Sequence, residues 1–168
     1  MLASRPISDK EATFCLLDQR AFERCWATVR ALAEYKPKDQ HKIEQFYFLA
    51  NKWFARALGG AKRTGRERVT AWWGRSDWDE LPALEAWDRA SRVANRFKAE
   101  LGYKSAQPWP IYSRKGGGSI MYFMIHATDH PRAPDLMARA YDKAVSPPEP
   151  LEQIALELGV PAPKEEPR

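Results

Sequence analysis

Thr128-Asp129-His130-Pro131 follows a long apolar run, 119–127, and sets an imidazole and a carboxylate where a buried strand would meet solvent. Polar groups at the mouth of such a strand are where α/β proteins place ligands. His130 can trade a proton near neutral pH, with Asp129 close enough in sequence to orient a partner. Adjacent residues rarely face each other, so the two are no ready-made dyad. Thr128 or Asp129 could instead satisfy amides at the start of the next helix. A second polar group, Asp18-Gln19-Arg20-Ala21-Phe22, follows the short apolar segment Thr13-Phe14-Cys15-Leu16-Leu17. Asp18 suits the positive end of a following helix, with Phe22 turned into the core. Gln19, Arg20, Thr128 and Asp129 thus form a candidate strand-end polar cluster.

The middle of the chain offers a different chemistry. Arg56, Lys62, Arg63, Arg66, Arg68 and Arg75 surround Trp72, Trp73 and Trp78. Cations neutralise phosphates and exposed aromatics stack on bases, so this insertion is a candidate surface for nucleic acid or a partner. It could equally be a solvated basic segment whose tryptophans pack on the core or on a partner. Glu67, Asp77, Asp79 and Glu80 dilute its positive field. His126 lies inside the apolar run and reads as a buried, hydrogen-bonded residue, and His41 carries no signal. The sequence shows no metal-ligand set, phosphate-binding loop or nucleophile elbow, so no metal site is expected.

These groups need elements to hold them. Thr13–Leu17 reads as a buried strand, and Phe22–Tyr35 as a helix with Phe22, Trp26, Val29 and Leu32 on one face. Residues 43–49 form a second strand candidate. Asn51 caps a short helix through Leu58, which Gly59-Gly60 would end. Residues 61–75 lack periodicity, and 76–81 suggest a helical turn. From Pro82 to Leu101 the apolar positions Trp87, Ala90, Ala94, Phe97 and Leu101 recur three and four apart, and Gly102 stands where a left-handed terminator belongs. Ile111–Arg114, a turn at 115–118 and the run 119–127 predict a hairpin. Residues 134–145 predict an amphipathic helix with Leu136, Met137, Ala140, Tyr141 and Ala144 inward. A linker, 146–150, a small helix, 151–158, and a charged tail, 161–168, are expected to follow, giving one α/β domain over 1–145 with a basic insertion near 59–82.

The chain has 168 residues, enough for one domain with a sizeable core. Apolar and charged shares of 44% and 29% are ordinary for a globular protein, and the net charge of +5 permits a nucleic-acid partner without requiring one. No stretch approaches the roughly 20 apolar residues of a membrane span, and residues 1–10 lack a secretory pattern. The two cysteines, Cys15 and Cys25, read as reduced, half-buried thiols, and a cytoplasmic location is expected.

Strands alternating with helices imply parallel pairing of the first two strands, and the hairpin must bring in one antiparallel strand. The run 119–127 should lie inside the sheet. The strand 13–17 carries no charge, proline or bulge signal. Left as a bare edge it would invite pairing, so further chain or a second molecule is expected beside it.

Thr13–Arg20 with Trp26-Ala27-Thr28-Val29, then Ile43–Leu49, then Met121–Pro131, resemble the three-Cys-motif partner protein family (TcmP) over roughly 13–145. The resemblance implies the C-terminal half of a partial Rossmann-like, class I methyltransferase-type open sheet of about four strands. The last strand would then lie between the second and third. The S-adenosylmethionine loop of that family sits in the other half. This chain has no counterpart, because its glycine cluster 116–118 falls between hairpin strands. No cofactor is therefore expected on this chain alone, with S-adenosylmethionine entering only where an N-terminal half is present. The resemblance also implies a radical-SAM-like iron–sulfur partner. At the position of Asp18 amino-methyltransferases carry an acidic or amide residue, two prolines and an aromatic that hold the target base. Asp18 and Phe22 match loosely and both prolines are missing, a departure that counts against base methylation; Asp18 through this resemblance, and His130 through its own acid–base chemistry, are the catalytic candidates. The expectation is a methyltransferase-like accessory protein, catalytically incomplete alone. The alternatives are a nucleic-acid-modifying methyltransferase completed by another chain, and a DNA- or RNA-binding module.

Overall fold

The computed structural model describes residues 8, 11–19, 22, 25–61, 65–114 and 117–146. The linker, small helix and tail expected after Ser146 lie outside these residues. The elements run β1 (Phe14–Leu17), α1 (Trp26–Ala33), β2 (Glu44–Ala50), α2 (Lys52–Ala61), α3 (Arg66–Trp73), a 3₁₀ helix (Asp77–Ala83), α4 (Ala86–Leu101), β3 (Ser105–Arg114), β4 (Gly117–Thr128) and α5 (Ala133–Val145). The four strands form one open mixed sheet in the order β1-β2-β4-β3. β1 and β2 pair in parallel, and β4 runs antiparallel to both of its neighbours. The apolar β4 is therefore interior, next to β2, and among the described residues β1 is an edge. Among the described residues no helix is long and apolar enough to cross a membrane.

Side chains alternate between the two faces of a strand. Leu17, Gln45, Tyr47, Leu49, Phe123, Ile125 and Ala127 are buried on one face. α4 packs there through Ala90, Val93, Ala94 and Phe97, with Phe97 edge-on to Tyr47 at 5.7 Å. Gln45 is held in this apolar layer by donating to the carbonyl of Val29 at 3.0 Å and to the Tyr103 hydroxyl at 2.8 Å. Tyr103 in turn donates to the carbonyl of Ile43. These bonds tie β2 to α1 and to the segment between α4 and β3, while the Gln45 side-chain oxygen is buried with no partner among the described residues.

Local differences from the sequence expectations have physical causes. α2 runs through Gly59 and Gly60 to Ala61; neither glycine takes the left-handed conformation that would end a helix. Residues 66–73 are helical, although their moment is weak, because Val69, Trp72 and Trp73 bury themselves against the core. α4 starts at Ala86 rather than Pro82, since Pro82 sits in the 3₁₀ helix. Trp87 is exposed, and Arg89 and Arg96 take buried places on α4 instead. Arg89 donates to the carbonyls of Leu81 and Leu84, tying the 3₁₀ helix to α4. β3 begins at Ser105 and includes Pro108 and Pro110, which lie two apart and so on one side of the strand. An edge strand can leave that side unpaired. Leu136, Ala140 and Ala144, expected inward on α5, are exposed.

Candidate functional site

The two strand ends that carry the candidate catalytic residues are at opposite ends of the sheet. Leu17 pairs with Tyr47, so Asp18 and Gln19 extend beyond the middle of β2 toward its C-terminal end. β4 runs the other way, with Gln45 opposite Ala127, so Thr128, Asp129 and His130 emerge at the N-terminal end of β2. Six residues of strand separate the two levels, on the order of 20 Å. Asp18 and His130 therefore cannot serve one substrate atom, and the four-residue polar cluster read from sequence splits in two. The pattern of apolar runs could not reveal this, because it does not encode strand direction.

At the C-terminal end of β1 and β2, Asp18 is exposed and Gln19 is buried, donating to the carbonyl of Phe48 at 3.2 Å. Asn51 donates to the carbonyl of Ile120 at 3.1 Å, and Arg89 reaches its side-chain oxygen at 3.4 Å. Arg20 lies outside the described residues. Phe22 packs against Phe54 and Trp72, the core position that its sequence context suggested beside the base-stacking one.

At the other end, a polar cavity of about 180 Å³ is lined by Glu11, Lys36, His41, Lys42, Glu44 and His130, among others. The rings of His41 and His130 lie 5.4 Å apart. His130 accepts from the amide of Arg132 through Nδ1 at 3.2 Å, while its own amide donates to the Thr128 hydroxyl at 3.0 Å. Asp129 does not touch His130. It is buried, accepts from the amide of Lys104 at 3.0 Å and pairs with Lys42 at 3.2 Å. His126 contacts Glu44 and stacks on Phe46 at 4.7 Å. Neither Thr128 nor Asp129 caps α5 as the capping reading expected: the N-cap position is Arg132 and carries no side-chain cap bond, Thr128 accepts from the His130 amide ahead of the helix, and Asp129 braces the segment before β3. Asp129→Ala should destabilise the fold by about 1–3 kcal/mol, the cost of losing a buried carboxylate's bonds to the Lys104 amide and to Lys42. Urea unfolding checks this, and a neutral substitution would contradict it.

The basic insertion is not the exposed aromatic platform that its composition allowed. Trp72, Trp73 and Trp78 are at most 1% exposed. Their indole N–H groups are engaged inside, Trp72 with the Tyr47 hydroxyl at 2.7 Å, Trp73 with Asp77 at 2.6 Å and Trp78 with the Thr70 hydroxyl at 3.0 Å. They cannot stack on bases in this fold. Arg66 pairs with Asp79 at 3.3 Å and lies over Trp78. Arg75 pairs with Asp77 at 3.1 Å and Glu100 at 2.9 Å. Arg56 and Arg68 are exposed, and Lys62 and Arg63 lie outside the described residues.

The feature best fitted to recognition is the β1 edge and the sheet face beside it. The bond from the amide of Glu44 to the carbonyl of Thr13 sets the ladder, so Cys15 and Leu17 address β2. Phe14 and Leu16 then turn their N–H and C=O groups outward. Their side chains are 70% and 57% exposed. Phe46 packs edge-on to Phe14 at 5.9 Å, and Tyr122, on the same face of β4, is also exposed. β1 was read from sequence as needing cover, whereas the apolar face could not be foreseen without the strand order.

The left-handed glycines Gly65, Gly74, Gly102 and Gly118 all lie elsewhere than between a strand and its following helix. Among the described residues no group of three or more His, Cys, Asp or Glu side chains is placed to hold a metal. No protein-family model matches the chain, and neither a curated protein nor a solved structure matches it.

Proposed function

We propose that this chain is a methyltransferase-like accessory module of the three-Cys-motif partner type, which works through a protein that completes its sheet. The observation that carries the reading is the uncovered β1, with outward backbone groups and exposed Phe14 and Leu16. A hydrophobic edge of this kind is a template for another strand. The order β1-β2-β4-β3, two parallel strands followed by a reversed hairpin, agrees with the C-terminal half of a class I methyltransferase sheet as the sequence resemblance implies. A further strand at β1 would set Asp18 and Gln19 beside the new strand's end, where open α/β sheets bind ligands. S-adenosylmethionine would belong to that added half. A radical-SAM-like iron–sulfur protein is the partner implied by the resemblance, and its cluster would be held by its own cysteines. The separation of Asp18 from His130 supports a role as accessory rather than as a self-sufficient enzyme.

Calorimetry of the chain with S-adenosylmethionine is the test. No saturable heat is expected from the chain by itself. Tight, one-to-one binding would show that the chain carries its own cofactor site and would overturn the reading.

A further inference from the structure

α5 stands off the sheet. Tyr141 anchors it, donating to the carbonyl of Pro110 at 2.6 Å with its ring 4.9 Å from Trp109. Beyond that anchor the helix presents Ala140 and Ala144, one turn apart and too small to fill the gap. The pairing of β3 with β4 shifts register at the same place, on both sides of Tyr112. The result is a slot of about 340 Å³ with walls of Pro110, Ile111, Met124, Met137 and Val145. That volume falls within the roughly 300–1,000 Å³ of small-molecule sites. Arg114 lies on the lining, and among the described residues no carboxylate forms an ion pair with it.

An apolar slot with one uncompensated cation at its rim selects a ligand with an apolar chain and an anionic end. We propose that this slot binds a single-chain amphiphile, a medium-chain carboxylate, with its chain along Ala140 and Ala144 and its carboxylate on Arg114. The guanidinium offers two parallel donors that match a carboxylate. A cationic head would meet Arg114 as a like charge, and a chain without a head would leave it unpaired. The site lies on α5 and β3, away from the β1 edge, so it stands independently of the accessory-module reading.

Dodecanoate, below its micelle concentration, is the probe, titrated into the full chain with isotopically labelled methionine methyl groups. Saturable binding should move the resonances of Met124 and Met137 and leave that of Met121 in place. Ala140→Leu with Ala144→Leu, both good helix formers, should fill the slot and weaken binding more than tenfold without lowering the melting temperature. Arg114→Gln should weaken dodecanoate about tenfold and strengthen the weaker binding of dodecyltrimethylammonium, whose head no longer meets a like charge. Absence of saturable binding, shifts confined to Met121, or equal affinity for the two head groups would each overturn the proposal. The methyl shifts of the unsubstituted chain decide the matter even where the filled variant fails to fold.

Discussion

Trp72→Ala is expected to cost about 3–5 kcal/mol of stability, the range for truncating a buried tryptophan. Trp72 is 1% exposed and lies between Phe54 at 4.8 Å, Phe22 at 5.3 Å and Trp73 at 5.5 Å. Its N–H is the partner of the buried Tyr47 hydroxyl, whose ionisation burial pushes well above the ordinary tyrosine range. Alanine would open a cavity and strand that hydroxyl together. Trp73→Ala should act similarly, and the double variant should fall short of the sum because the rings touch. Denaturant unfolding gives the measure. A variant that kept its midpoint while losing nucleic-acid retention would place these rings on the surface and contradict the packing described above.

Arg96→Ala should be comparably severe, at about 3–5 kcal/mol, because it breaks a buried ion pair and leaves the partners exposed to the cost of desolvation. The Arg96 guanidinium lies 3.9 Å from the rings of both Trp26 and Trp73. It donates to the carbonyl of Trp73 at 2.6 Å and to both oxygens of Glu100 at 2.6 and 2.8 Å. Trp26 completes the network by donating to Glu100 at 3.0 Å. A lysine could supply the charge but neither the planar stacking nor the fork, so Arg96→Lys should recover only part of the loss. The same network sets a pH dependence. The hydrogen bonds from Arg96 hold the Glu100 carboxyl below its usual 4.5. A depressed carboxylate adds stability that is present above 4.5 and lost as pH falls through the lower, folded value. Wild-type unfolding midpoints should therefore drop in that acid window, and Glu100→Gln should flatten that part of the curve. An unchanged curve would remove Glu100 from the network.

What could be read from residues, and what could not, divides by the kind of information each question needs. The run at Met121–Ala127 identified an interior strand because an uncharged stretch on both faces has few other places to go. Thr13–Leu17 showed an edge in need of cover for the same reason. The α4 period was visible, but its start was blurred by Pro82 and by Arg89 and Arg96, which behave as buried residues once carbonyls and Glu100 receive their N–H groups. The insertion allowed two readings because its tryptophans and cations sit side by side in sequence, and the one that packs the rings on the core is the one found. In three dimensions the rings turn in, and Arg66 and Arg75 find carboxylates. The candidate site was least legible. Asp18 and His130 each end an apolar strand, yet strand direction, a property of the whole sheet, sends them to opposite ends. The pairing of Lys42 with Asp129 joins residues far apart in sequence and left no local signal.

Amide hydrogen exchange along β1 reaches the bare edge itself. In the chain alone, at a concentration where light scattering reports a monomer, the Phe14 and Leu16 amides should exchange rapidly. Those of Cys15 and Leu17, bonded to β2, should be protected. Protection of Leu16 equal to that of Leu17 in the monomer would mean that this edge is already paired within the chain, and would leave no place for a completing strand.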